Sequence, residues 1–336
     1  MKVTKRLRQW GLITAINLVA VVVAVLAFGA WKRYESAQAP INPMRSEGSY
    51  AAGFFGQHID DVGFIAEAGR HVTSRKLLGD RVIYDAVYTT GPDHFRVVPK
   101  ANEKPDRCVL LFGDSFTFGE GVNDDETSAA QIVKKSEGRV AAKNLGISGW
   151  GPHQFLAGLQ SGRFQRAITC TPTDAFYLMI PTHIARAAGR GVWDAHGPLF
   201  LLGADGRPVR HGNFDTDMGL GWRQLVGLNR LTDGEEADLT AAVLVEGARE
   251  LKARYPGIHF RVLLWDIDRE FSLEILERAL RGMARGGVEV HSMEEVIPHL
   301  AESWPQYVIP LEGHPNPRAD ERIADFIIRS VDRGEH

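Results

Sequence analysis

The chain has little cysteine, no excess of either charge, no repeat and no phosphate-binding glycine loop, and each shortage narrows its chemistry. Lys and Arg number 39 against 42 Asp and Glu, a formal net charge of -3. That balance offers neither a basic stripe for nucleic acid nor an acidic tail, so nucleic acid is not an expected partner. Gly119-Glu120-Gly121 lacks the Lys-Ser/Thr of a P-loop and does not have dinucleotide-fingerprint spacing. Neither phosphate binding nor an organic cofactor is expected. No two His at metal spacing accompany a carboxylate on an expected helix, so no metal is expected either. The two cysteines, Cys108 and Cys170, read as buried free thiols, because Cys in strands is commonly a small hydrophobe. A disulfide between them is permitted if the domain lies outside the cytoplasm.

What remains is a globular composition, 44% apolar and 24% charged over 336 residues, enough for a sizeable buried core. The first residues differ. Lys2, Lys5, Arg6 and Arg8 in a basic tail, 1–9, precede an apolar run over 10–31, from Trp10 to Trp31. As a helix that run extends roughly 33 Å, enough to cross a bilayer core. The positive excess before it predicts a single-pass inner-membrane anchor with its N-terminus in the cytoplasm and the remaining chain periplasmic. Cleavage after Ala37-Gln38-Ala39 is the rival expectation; the length of the run favours an uncleaved anchor.

Residues 32–78 read as linker and lead-in, and 79–332 as the main domain. Ahead of the core, two β-rich runs around Gly91-Pro92-Asp93 suggest a hairpin or paired extended segments. Apolar runs at Cys108 to Phe112, Val140 to Leu145, Ala175 to Ile180, His259 to Trp265 and Val288 to His291 have strand length. Helical-period stretches are clearest at Glu126 to Ser136, Glu235 to Arg254, Phe271 to Arg285 and Arg318 to Val331. Five strands with helical crossovers imply an α/β domain with a five-stranded parallel sheet. An inserted hairpin is expected at about 197–214, turning at Asp205-Gly206.

The strongest chemical signal is LLFGDSFTFGEGV, residues 110–122. A buried strand running into Gly113-Asp114-Ser115 delivers a hydroxyl to the carboxyl end of a parallel sheet, where open α/β folds bind ligands. A serine hydroxyl needs a base, and His314 stands in a Gly-His-Pro-Asn turn before the last helix, with Glu312 two residues upstream to orient the imidazole. In NLGISGWGPHQ, residues 144–154, Gly149 is a candidate oxyanion donor beside the Ser115 amide. His183, just past the third strand, is a further candidate donor or a packed structural histidine. Trp150 and Phe116 flank the cleft as a substrate platform or as packing.

Gly-Asp-Ser, Asn144-x-Gly-x-x-Gly149 and Gly-His-Pro-Asn occur in an order that resembles the SGNH hydrolases, also called the GDSL family, over roughly residues 84–328. The resemblance implies a three-layer α/β/α, flavodoxin-like SGNH fold. It makes Ser115 the nucleophile, Gly149 an oxyanion amide and His314 the base. This chain departs from the family at Pro181-Thr182-His183, where the family has Gly-x-Asn, and at Glu312, where the family commonly has Asp. Asp266 and Asp268 are reserve carboxylates. The expected activity is a membrane-anchored esterase acting through an acyl-enzyme on a small-molecule or glycan ester. The alternatives are an O-acyltransferase acting on an envelope or exported polysaccharide, or a non-catalytic binding module of the same fold.

Overall fold

The computed structural model describes residues 44–50, 53–216, 231–266 and 271–332, with Trp10, Thr14, 16–21, 23–25, 27–28 and Trp31 further upstream. The chain divides into two compact units, Met1–Arg45 and Ser46–His336. In the first, the described residues between 10 and 31 are helical and exposed. The basic tail, the rest of that apolar run and residues 32–43 lie outside the described residues. Among the described residues no helix is long and apolar enough to cross a membrane.

Along the chain the strands are β1 (Met44–Glu47), β2 (Phe55–Ile59), β3 (Gly63–Ala66), β4 (His71–Leu78), β5 (Arg81–Thr89), β6 (Arg107–Phe112), β7 (Val140–Asn144), β8 (Asp174–Met179), β9 (Pro198–Leu202), β10 (Pro208–Asn213), β11 (His259–Leu264) and β12 (Glu289–Ser292). The principal helices are α1 (Ser115–Phe118), α2 (Ser128–Lys135), α3 (Pro152–Ser161), α4 (His183–Ala187), α5 (Asp233–Arg254), α6 (Leu273–Arg285), α7 (Met293–Val296), α8 (Leu300–Ser303) and α9 (Pro317–Asp332).

The main sheet has the order β12-β11-β8-β6-β7, and its strands pair in parallel throughout. β6 is buried on both faces, which is why it reads as an unbroken apolar run instead of an alternating one. Leu110 and Phe112 pack into one core with Phe155, Leu244 and Met283. Val109 and Leu111 pack into the other with Ile132, Val296 and Ile327. The helices thus cover both faces, α3, α5 and α6 on one and α2, α7 and α9 on the other. Each Leu or Phe buried this way contributes about 1.5–3 kcal/mol. From β6 the chain moves outward to β7 and then returns to β8 on the other side. The sheet order therefore reverses at β6, and Ser115 follows directly from its carboxyl end, the switch point at which open α/β sheets hold ligands.

Two expectations are corrected. Residues 55–78, assigned to the lead-in, are folded within the second unit. β2 and β3 form an antiparallel ribbon, and β4 pairs with β5 as a hairpin whose Val72, Ser74 and Leu77 point inward. Gly91-Pro92-Asp93 does not turn this hairpin. Gly79 at φ +59° and Asp80 do, while Gly91-Pro92-Asp93 turns the next pairing, the antiparallel Thr90–Arg96 bridge, as the paired extended segments expected there. The cysteines are not free: Cys108 is bonded to Cys170, since β6 and β8 are neighbours and the two residues face one another at the amino end of the sheet, with Cα atoms 6.0 Å apart. β9 and β10 form an antiparallel hairpin within residues 198–213.

Candidate active site

Gly113 can lie at φ +148° because it has no Cβ; one added there would come within 2.9 Å of the Leu178 carbonyl oxygen. This turn ends β6 and starts α1. Asp114 caps the helix, its Oδ1 accepting from Phe116 N at 3.0 Å, and Ser115 is the first helical residue. The Ser115 N–H belongs to the first turn, where an amide has no acceptor within its own helix.

Opposite stands the loop before α9. Ser115 Oγ lies 2.7 Å from His314 Nε2, and His314 Nδ1 lies 2.6 Å from Glu312 Oε2. The same carboxylate oxygen accepts from the His314 backbone N–H at 3.1 Å. Its other oxygen, Oε1, accepts from Lys76 Nζ at 3.0 Å, with only 2% of the Glu312 side chain exposed. Glutamate, one methylene longer than aspartate, reaches both partners from two residues away. Burial tends to raise the Glu312 carboxyl, but its hydrogen bond to His314 and the charges of His314 and Lys76 outweigh it and hold the group at about 2. Burial tends to lower His314, but the bond to Glu312 and its charge win and raise the imidazole above its ordinary value. The result is a hydroxyl, an imidazole and a carboxylate in one hydrogen-bonded line, the geometry of a serine triad.

On the other flank, Asn144 at the end of β7 donates from Nδ2 to Thr117 O at 2.8 Å and accepts Gly146 N on Oδ1 at 3.2 Å, locking the Ser115 turn to the glycine loop. Gly149 lies at φ +86°, and its carbonyl accepts from Trp193 Nε1 at 3.1 Å. Phe55, Phe64, Ser148, Gly149 and Trp193 line a cavity of about 300 Å³. Beyond His314, Phe116, Pro181, Thr182, Trp265 and Trp304 line a second, of about 210 Å³.

The structure removes His183 from the set of oxyanion donors. It is fully buried, its Nε2 is 3.2 Å from Asp114 Oδ2 and its Nδ1 is 3.1 Å from the Tyr177 hydroxyl. Both ring nitrogens are thus held inside the fold, Nδ1 on the Tyr177 hydroxyl and Nε2 beside Asp114. Burial pushes His183 below its ordinary value despite the Asp114 charge. Burial likewise pushes the Asp114 carboxyl up, but His183 and Arg186 outweigh it and hold Asp114 below the usual range. The permanent countercharge is Arg186, whose Nη1 donates to Asp114 Oδ2 at 2.7 Å and to Trp150 O at 2.9 Å. Trp150 is no platform either. It is buried, and its Nε1 donates to Phe64 O at 2.9 Å. Phe116 is half-buried, its ring 4.9 Å from that of His314. Asp266 is not brought to His314, whose Nδ1 faces Glu312, and Asp268 lies outside the described residues.

Sequence reasoning missed Arg186, Lys76 and Arg96. Arg186 lies three residues after His183 on one helix, a spacing that shares a face and signals a joint partner. Lys76 had no signal, since it comes from β4, far away in sequence. Arg96 is buried and donates to the carbonyls of Phe118, Gly119 and Val122 at 2.6–2.8 Å, pinning the chain after the Ser115 helix.

No family model and no curated protein matches the chain. Among solved structures it is similar to a lipolytic protein of the G-D-S-L family from Veillonella parvula, at 15% identity over 68% of this chain and 99% of that one, with a TM-score of 0.43. A psychrotrophic esterase from Pseudoalteromonas sp. is 11% identical over 68% and 97%, with a TM-score of 0.40. A putative G-D-S-L lipolytic protein from Desulfitobacterium hafniense is 13% identical over 66% and 98%, with a TM-score of 0.37. At such identities the chemistry has to be read from Ser115, His314 and Glu312 themselves.

Proposed function

We propose that the chain is a serine esterase of the SGNH type. The observation that carries this reading is the continuous line from Ser115 Oγ through His314 to Glu312, at 2.7 Å and 2.6 Å. Ser115 Oγ attacks the ester carbonyl carbon as His314 Nε2 takes its proton. The tetrahedral oxyanion is held by the backbone N–H groups of Ser115 and Gly149. His314 then gives the proton to the departing alkoxide oxygen, leaving an acyl group on Ser115. Water, deprotonated by His314, attacks that acyl carbon and releases the carboxylic acid. Glu312, kept ionised, stabilises the imidazolium formed in both steps. The cavity lined by Phe116 and Gly313 and the one lined by Gly149 would take the two portions of the ester, acyl and alcohol.

The apolar run over 10–31 is proposed as the anchor, with the Ser46–His336 unit outside the cytoplasm. The Cys108–Cys170 bond supports that side, because structural disulfides persist in oxidising compartments.

Labelling the full-length chain with a fluorophosphonate tests the reading by mass spectrometry. An adduct on Ser115, absent in Ser115→Ala and much slower in His314→Ala, is the expected result. Folded protein that takes no adduct overturns it in favour of a binding module.

A further inference from the structure

Away from the triad, two histidines and an aspartate from three separate stretches of chain converge. His58 stands at the bulge of β2, where the pairing with β3 shifts register and its own φ is +58°, a left-handed value unusual for a residue with a side chain. His196 lies just ahead of β9, and Asp215 lies in the 3-10 turn after β10. One ligand atom from each falls within 4.8 Å of the others. The two imidazole centroids are 5.0 Å apart. Asp215 Oδ2 is 2.7 Å from His196 Nδ1. His196 Nε2 is buried without a hydrogen-bond partner among the described residues, and Asp60 Oδ1 is 3.9 Å from it. Arg210 donates to the Asp60 carbonyl at 2.5 Å and to Asn213 at 2.9 Å, not to the imidazole nitrogens.

Two imidazoles this close repel one another when protonated, and the backbone at His58 adopts an unfavourable conformation beside its neighbour. A divalent cation between them reverses the balance, since two neutral imidazoles and a carboxylate are the donors that such an ion prefers. Hard cations such as magnesium and calcium select oxygen ligands instead.

We propose that His58, His196 and Asp215 bind a divalent transition ion of the zinc class, with a remaining coordination position open to water. The ion ties the β2–β3 ribbon to the segment before β9. Both also wall the cavity beside Gly149, through Phe55, three residues before His58, and Trp193, three residues before His196. The ion's effect on that cavity's use as a substrate site rests on the esterase reading; the binding of the ion does not.

The test is calorimetric titration of the full-length, chelator-treated chain with zinc chloride, alongside a His58→Ala/His196→Ala double variant. One ion per chain is expected for the wild type, with affinity falling at least about tenfold in the variant. X-ray absorption of the loaded protein should show two imidazole nitrogens at the metal. Far-UV circular dichroism and fluorophosphonate labelling establish that the variant is folded, and labelling of Ser115 reads the esterase proposal separately. No binding by the wild type, equal binding by the folded variant, or displacement of zinc by equimolar magnesium overturns the proposal.

Discussion

His314 and His183 flank the same Gly-Asp-Ser turn, and each faces a carboxylate, yet the two sites have opposite characters. His314 lies at the cleft, with one nitrogen on Ser115 and the other on Glu312. His183 lies beneath it, sealed between Asp114 and Tyr177. The first imidazole is raised above its ordinary value and the second is pushed below. The difference is in the countercharge. Glu312 shares its two oxygens between His314 and a single lysine, so the imidazolium state is favoured. Asp114 already has Arg186, so a second positive charge beside it gains less than burial costs. An imidazole next to a carboxylate becomes a proton carrier when that carboxylate still needs a cation and the other ring nitrogen reaches a reacting group. Otherwise it is a hydrogen-bonding strut.

The sharpest way to break this comparison is His314→Ala, expected to lower kcat/KM for a chromogenic ester by about 10⁴- to 10⁶-fold with unchanged circular dichroism. Next in size is Glu312→Gln, expected to lower kcat by about 10³- to 10⁴-fold and to move the acid limb of the pH–rate profile. The sign follows from the base role. His314 acts when neutral, and its raised value places the wild-type limb above the ordinary histidine value of about 6.5. Removing the Glu312 charge brings that limb down toward it. A limb that stays in place would show that Glu312 does not set the imidazole's charge. In stability terms the contributions run in opposite directions: that of Glu312 is present above 4.5 and lost as pH falls through about 2, while that of His314 is present below about 6.5 and lost as pH rises through its raised value. Both are therefore present between about 4.5 and 6.5.

Arg186→Met leaves Asp114 buried without its permanent countercharge. It is expected to cost about 3–5 kcal/mol in urea unfolding. The smallest effect belongs to His183→Gln, expected to keep kcat within about tenfold of wild type, because loss of a true oxyanion donor costs about 10²- to 10³-fold. A loss of that larger size, with stability intact, would return His183 to the oxyanion hole.

How far the sequence could be read followed the type of burial. The inner strands β6, β8 and β11 are mostly buried on both faces, so they appear as runs bounded within a residue or two of their observed ends. β4 is half-exposed, with His71 and Thr73 facing out and Arg75 and Lys76 only part-buried between its inward residues. Its alternation is weak, and it reads as part of the lead-in. Ser115, His314 and Glu312 were legible because a nucleophile, a base and an acid have few possible side chains and fixed places at the ends of strands. The fate of His183 was not, because Asp114 reaches it only through the adjacency of β6 and β8. The cysteine pair failed for the same reason: only the adjacency of β6 and β8 brings Cys170 to Cys108.

That disulfide closes a ring 62 residues around, and both Ser115 and Gly149 lie on it. The bond sits at the amino end of the sheet, while the chemistry lies at the other end. In an unfolded chain, such a closure is worth about 4 kcal/mol in the chain-entropy description. There is also a topological consequence. A protease that cuts once between Cys108 and Cys170 opens the ring without releasing a fragment, so Ser115 and Gly149 remain parts of one molecule after a break in the backbone between them.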